Sequence, residues 1–165
     1  MATADKILLG LGVVSIGGQP VGLTRGGSSF VVEREYRDIE ADGDRGHVKG
    51  RVVIDREVAK LTVNALEMFN SADMEKYYPA MSEAEGTLVS TLEIIEGDHN
   101  DVVWVGKTKD GSPVTITVND AINMSNVEWT LEDKNEVVPA LEFTAMYTED
   151  DRDVAPWNVA FGQGV

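Results

Sequence analysis

The chain has no cysteine. Disulfides, thiolate metal sites and cysteine nucleophiles are therefore excluded, while a reducing cytosol stays compatible. Long apolar runs are missing too: nothing approaches the roughly 20 residues that a membrane-spanning helix needs. The most apolar stretch, "KILLGLGVVSIGG", has the content of a signal-peptide core. Asp5 cancels Lys6, however, and no small-x-small cleavage site follows, so a buried strand is the expectation. Histidine is scarce: His47 and His99 both lie in polar loop sequence, far apart. A zinc or acid–base pair would want closely spaced ligands or an orienting carboxylate. Positive charge is scarce as well, with 14 basic residues against 29 acidic and a net charge of −15. Sequence-reading contact with DNA needs clustered Lys and Arg, and an anionic membrane attracts them, so both are disfavoured. A surface that lets DNA pass without sticking would be acidic in this way.

Catalytic signatures are also absent. No G-x-S-x-G elbow occurs, and the glycines at positions 10 to 27 fit neither the dinucleotide fingerprint nor the P-loop. "DGDRGH" from Asp42 invites an EF-hand reading. That loop would carry Gly46 at its fifth position, His47 at its sixth and Val53 where the bidentate Glu belongs, so the match fails. A looser calcium loop stays open behind the preferred reading, a solvated charged loop. "TEDDRD" at Thr148–Asp153 reads the same way, and Asn123-Met124-Ser125 is a glycosylation acceptor without a convincing signal peptide. No cofactor or metal is expected.

What is present is period-two alternation. Val127, Trp129 and Leu131 alternate with polar residues, as do Val114, Ile116 and Val118 in "SPVTITVND". Val137, Leu141, Phe143, Ala145 and Tyr147 share one parity, and "TLVSTLEII" and "DVVWVGK" also read as strands. Turns fall between them at "IGGQPVG", "KDGSP", "EGDHND" and "EDKNE". Short strands with regular turns indicate one 165-residue antiparallel domain, sandwich or barrel. A chain of this size buries about 70% of its unfolded surface and needs no staple. One helix is expected within residues 66–81, capped by Asn70 or Ser71 and stopped by Pro79.

The segment "GGSSFVVEREYRDIEADGDRGHVKGRVVIDREVAKLTV" stands apart. Glu33–Lys60 holds eight acidic and seven basic residues, which leaves 21 acidic against seven basic elsewhere. Alternation puts Glu33, Glu35 and Arg37 on one face of the first limb, opposite Phe30, Val32 and Tyr36. It puts Arg51, Asp55 and Glu57 on one face of the second, opposite Val52, Ile54 and Val58. Interleaved signs suit either a solvated hairpin or a surface that meets a copy of itself.

These stretches together resemble a tail tube protein of a long-tailed, siphophage-type bacteriophage, across nearly the whole chain. "GLGVVSIGGQPVGLTRGGSSFVVEREYRDIEADG" is similar to the family opening, and "LTVNALEMF" before a short helix is similar to its middle. "PVTITVNDAINMSNVEWTLEDKNEVVPALEFTAMY" and "APWNVAFG" are similar to its close. The resemblance implies a mainly β fold: an antiparallel β-sandwich with one flanking α-helix, and long hairpins that join an inter-subunit β-barrel. It implies a non-enzymatic virion protein, made in the host cytoplasm. Hexameric rings would stack into a conduit for double-stranded DNA, in contact with tape measure, tail tip and terminator proteins and with no membrane. Carried over by position, Glu33, Glu35, Asp55 and Glu57 would face the lumen. Glu40, Asp42, Asp44, Arg45, His47 and Lys49 would lie in an inter-ring loop over about 40–50. Trp157 and Phe161 would lie in an inter-subunit arm over about 150–165. The rivals are a β-sandwich binding module for carbohydrate or protein, a small enzyme, and the inner tube of a contractile tail-like particle.

Overall fold

The computed structural model describes residues 6–162; Asp5 and the last three residues of the expected C-terminal arm lie outside the described residues. The chain is mainly β and antiparallel, with one short helix. The expected alternation becomes strands β1 (Leu8–Ile16), β2 (Gln19–Pro20), β3 (Thr24–Asp38), β4 (Val52–Ala65), β7 (Asn100–Thr108), β8 (Pro113–Asn123), β9 (Ala140–Thr144) and β10 (Trp157–Phe161). Strands β5 (Met81–Ala84) and β6 (Thr87–Ser90) form a small separate sheet. The β1–β2 turn uses Gly17 and Gly18 at φ 59° and 85°, the doubly left-handed backbone of a tight hairpin. The β7–β8 turn falls at Asp110-Gly111 as expected. The Asp110 carboxylate accepts from the Thr108 hydroxyl and the Ser112 amide and pairs with Lys6.

The large sheet runs β2-β1-β7-β8-β9-β4-β3, with β10 also on β8. Strand β8 is its corner. Residues Val114–Val118 pair with β10, and Ile122 and Asn123 pair with β9. Between them Asp120 takes φ 49°, its amide bonded to the Asp101 carboxylate at 3.0 Å and its carbonyl to the His99 ring at 3.1 Å. The sheet thereby turns its two halves onto a single core, built of Val14, Ile16, Val102, Trp104 and Val118 from one half and Leu61, Val63, Leu141 and Phe143 from the other. The Trp104 indole lies so close over Gly12 and Gly106 that a Cβ on Gly12 would come within 2.4 Å of it.

Four expectations need correction. The N-terminal strand forms, but only Val14 and Ile16 are buried, while Leu8, Leu9, Leu11 and Val13 are exposed. The helix is shorter than residues 66–81: a 3₁₀ turn at Ser71–Asp73 leads into α1 (Met74–Tyr77). Asn70 caps it, accepting from the Ala72 amide. Pro79 pushes Tyr78 into extended backbone, so no longer helix fits between them. Upstream, Leu66 and Glu67 continue from β4 with their amides on the Leu23 carbonyl. Residues 127–131 are not a strand: the Ser125 amide turns onto the Asn123 side chain, and Trp129 folds back to meet Phe69 edge to face and to donate to the Tyr78 hydroxyl at 3.0 Å. The strand expected through "TLVSTLEII" ends at Ser90, because Leu92 reverses the backbone at φ 59°. The Asn123 of the glycosylation motif is buried and donates to the Tyr77 carbonyl at 2.6 Å, which ties α1 to β8.

Candidate functional site: a charged hairpin that outruns the core

Strands β3 and β4 pair from Thr24–Ala65 at one end to Asp38–Val52 at the other. Strand β9 covers β4 only from Lys60 to Asn64. Beyond Lys60 the hairpin is a two-stranded ribbon of about 20 Å, at roughly 3.3 Å per residue. Among the described residues the β4 edge beyond Lys60 accepts two hydrogen bonds, from the Ala145 amide to the Ala59 carbonyl at 2.9 Å and from the Tyr147 hydroxyl to the Glu57 carbonyl at 3.1 Å. No strand among them pairs with it there, and β3 ends the sheet along its whole length.

The register sorts the ribbon's faces. Glu33 lies opposite Val58, Glu35 opposite Arg56, and Val31 opposite Lys60; Arg34 lies opposite Glu57 and Tyr36 opposite Ile54. Asp55 is the extra residue of a bulge, and its carboxylate joins the first face through Arg37 at 2.9 Å. Glu33, Glu35 and Asp55 thus share a face with Arg37, Arg56 and Lys60. Glu57 does not: it lies on the other face, paired with Arg34 at 3.1 Å. The expected grouping of Val52, Ile54 and Val58 also fails, because the bulge reverses the parity of β4. Val52 and Ile54 follow Arg34 and Tyr36, and Val58 follows Glu33. The Tyr36 hydroxyl and the Glu57 carboxylate together raise the Arg34 guanidinium above its usual range.

Much of the charge interleaving is satisfied inside the hairpin. Lys60 lies between Glu33 at 3.4 Å and Glu142 at 3.6 Å. In the loop, His47 bonds Asp38 at 2.8 Å, and Arg51 bonds Asp44 at 2.7 Å. Asp44 also caps the Ala41 amide at 2.9 Å, and the Ile39 amide bonds the Arg51 carbonyl at 2.8 Å. Arg51 and the Ala41 amide lower the Asp44 carboxyl, and Asp38 raises His47. Of the six loop candidates, Asp44 and His47 brace the loop itself. Glu40, Asp42, Arg45 and Lys49 stand exposed, with no ion pair among the described residues. Sequence reasoning missed the bracing partners Asp38 and Arg51, whose opposite charges stand at either end of the loop.

An open groove of about 1230 Å³ runs along the ribbon and β9, and all four acidic candidates line it together with Arg34, Arg56, Lys60 and Arg152. Its mixed charges and its width suit contact with an extended surface more than enclosure of a small molecule. No cluster of three or more metal-ligating side chains occurs among the described residues. The expected arm is partly taken up by the fold: Trp157 and Phe161 both pair on β8 within β10, the Trp157 ring packs against Phe30 at 5.7 Å, and the Phe161 side chain is exposed. No protein-family model matches the chain, and no curated protein matches it either.

Proposed function

We propose that the chain is a tail tube subunit of a long-tailed bacteriophage. Copies join hairpins edge to edge into an inner β-barrel, six to a ring, and rings stack through the 40–50 loop into a conduit for double-stranded DNA. On this reading the bent sheet is a β-sandwich with α1 on its flank, and the protein works in the virion by shape and charge, without catalysis.

The observation that carries the reading is the ribbon, whose β3 edge is open throughout and whose β4 edge has no strand partner beyond β9 among the described residues. A two-stranded ribbon is marginally stable alone, and long open edges invite pairing. Closure among copies removes those edges. The net charge of −15 disfavours adhesion to DNA, although 14 of those charges lie outside the Glu33–Lys60 hairpin. DNA carries about one charge per 1.7 Å of axis, and screening confines charge effects to about 8 Å at physiological salt. On the hairpin face Arg37, Arg56 and Lys60 are matched in number by Glu33, Glu35 and Asp55, so the wall is near neutral and offers DNA no net basic trap. The Glu33–Glu35–Asp55 face is the lumen candidate, and Glu57 leaves that set. The four free loop charges, two of each sign, suit a contact with the next ring. A carbohydrate-binding module has less support: Trp104 is buried, and Trp129 and Trp157 pack against Phe69 and Phe30 of the same chain.

Negative-stain electron microscopy of the concentrated protein tests the reading. Hollow rings or tubes are expected. A species that stays monomeric even with tail-tip components added overturns it.

A further inference from the structure

Two apolar surfaces lie away from the hairpin. The first is the outer face of β1 and β7, where Val13 opposes Val105 and Leu9 opposes Lys107. Gly10, Leu11 and Gly12 face Gly106 alone, and this widened stretch leaves Leu11 88% exposed. An antiparallel sheet ordinarily presents polar residues on its outer face. Here Leu9, Leu11, Val13 and Val105 stand exposed, and Lys107 at their rim has no carboxylate partner among the described residues.

The second surface is the turn after β6, which exposes Val89, Leu92, Ile94 and Ile95. Leu92 is 91% exposed and holds a left-handed backbone that bulky residues avoid. The turn is built rather than loose. The buried Asp98 carboxylate accepts from the Ile95 amide at 2.9 Å and the Ala80 amide at 3.2 Å, and the Thr91 amide donates to the Ala80 carbonyl at 2.8 Å. Glu93 and Glu96 flank the apolar residues, without a cationic partner among the described residues.

We propose that the Val89–Glu96 turn of one copy docks on the β1–β7 outer face of a second copy, with Leu92, Ile94 and Ile95 over Leu9, Leu11, Val13 and Val105, and Glu93 and Glu96 toward Lys107. One surface is apolar with an acidic rim and the other apolar with a basic rim, so they complement each other. They are different patches of the same chain. The contact is therefore head-to-tail and propagates as a closed ring or a filament. The inference rests on the self-assembly reading above, but it uses none of the hairpin.

Sedimentation equilibrium from micromolar to millimolar concentration tests it. Leu92→Asn keeps a residue that tolerates left-handed backbone. It is expected to leave the melting temperature unchanged or higher and to weaken self-association at least tenfold. Lys107→Glu and the double variant Glu93→Lys/Glu96→Lys are each expected to weaken it, and an equimolar mixture of the two is expected to restore it. Tubes that form with undiminished affinity in all these variants overturn the docking and leave the tube reading standing. Self-association that follows the charge swap without hollow particles upholds the docking and removes the tube. A wild-type chain that stays monomeric throughout the range overturns the docking.

Discussion

At the root of the β3–β4 hairpin, Ala59, Leu61, Val63 and Ala65 alternate inward, each at most 1% exposed, under the cover of β9. At its tip the same two strands carry Tyr36, Val52 and Ile54 exposed on one face and a row of ion pairs along the other. The backbone pairing is continuous apart from two register shifts. What differs is the surface opposite. The root meets the core of its own chain, whereas the tip's one hydrogen bond to the rest of the chain among the described residues is from the Tyr147 hydroxyl to the Glu57 carbonyl at 3.1 Å. Burial makes the root a source of stability. The tip contributes little to the isolated fold, and its residues have to be explained by something outside it.

Substitution at the two ends breaks the comparison most sharply. Leu61→Ala removes a buried side chain and is expected to cost about 2–5 kcal/mol in a denaturant titration. Ile54→Ser, at an exposed tip position, is expected to change monomer stability by less than about 0.5 kcal/mol. On the proposed function it also suppresses ring and tube formation in light scattering. Equal losses of stability at the two positions would show that the tip is packed within the monomer, and the division would collapse.

The root was legible in the sequence and the tip only in part, for a physical reason. Alternation of Leu141, Phe143 and Ala145, or of Val114, Ile116 and Val118, reports a core face directly, since burial enforces parity. Parity fails at a bulge, and nothing in "VVIDREV" marks Asp55 as the extra residue. Glu57 was therefore placed with Glu33 when it faces away. The interleaved charges suit either a solvated hairpin or a surface for another copy, and many of them meet their own hairpin: Arg34 with Glu57, Arg37 with Asp55, Arg51 with Asp44. The pattern Val127–Trp129–Leu131 had a strand's period but no neighbouring strand, and Trp129 was drawn instead onto Phe69 and Tyr78. Period alone cannot reveal a missing partner. The same limit applied to β1, whose apolar residues predicted burial that only Val14 and Ile16 obtain.

Salt sharpens the contrast at an intermediate scale. Exposed pairs such as Arg37–Asp55 gain little in high dielectric and are screened within about 3 Å at 1 M salt. The apolar root is not screened. Rising salt is therefore expected to leave the unfolding midpoint of the monomer nearly unchanged while light scattering from assemblies falls. Scattering that holds steady as salt rises would mean that mixed-sign contacts at the tip do not hold rings together.

The smallest expected effect lies in the loop itself. Asp38 raises His47 by a direct bond and by its charge. A raised folded-state value means that this brace is fully present below the ordinary imidazole range, about 6.5, and fades as pH rises through the higher folded value. Asp44 runs the other way. Its bonds to Arg51 and to the Ala41 amide lower it, so its contribution is present above the ordinary carboxyl range, about 3.9, and is lost as pH falls through the lower folded value. Both braces are in place from mildly acidic pH up to the titration of His47. Both side chains are near solvent, so global unfolding is expected to move little across this window. An NMR titration of the His47 ring reads the effect at its source. Its midpoint is expected above the ordinary imidazole value and is expected to drop toward it in Asp38→Asn. A midpoint identical in the two proteins would mean that the Asp38–His47 bond does not hold the loop, and that the tip's shape depends on the Arg51–Asp44 pair alone.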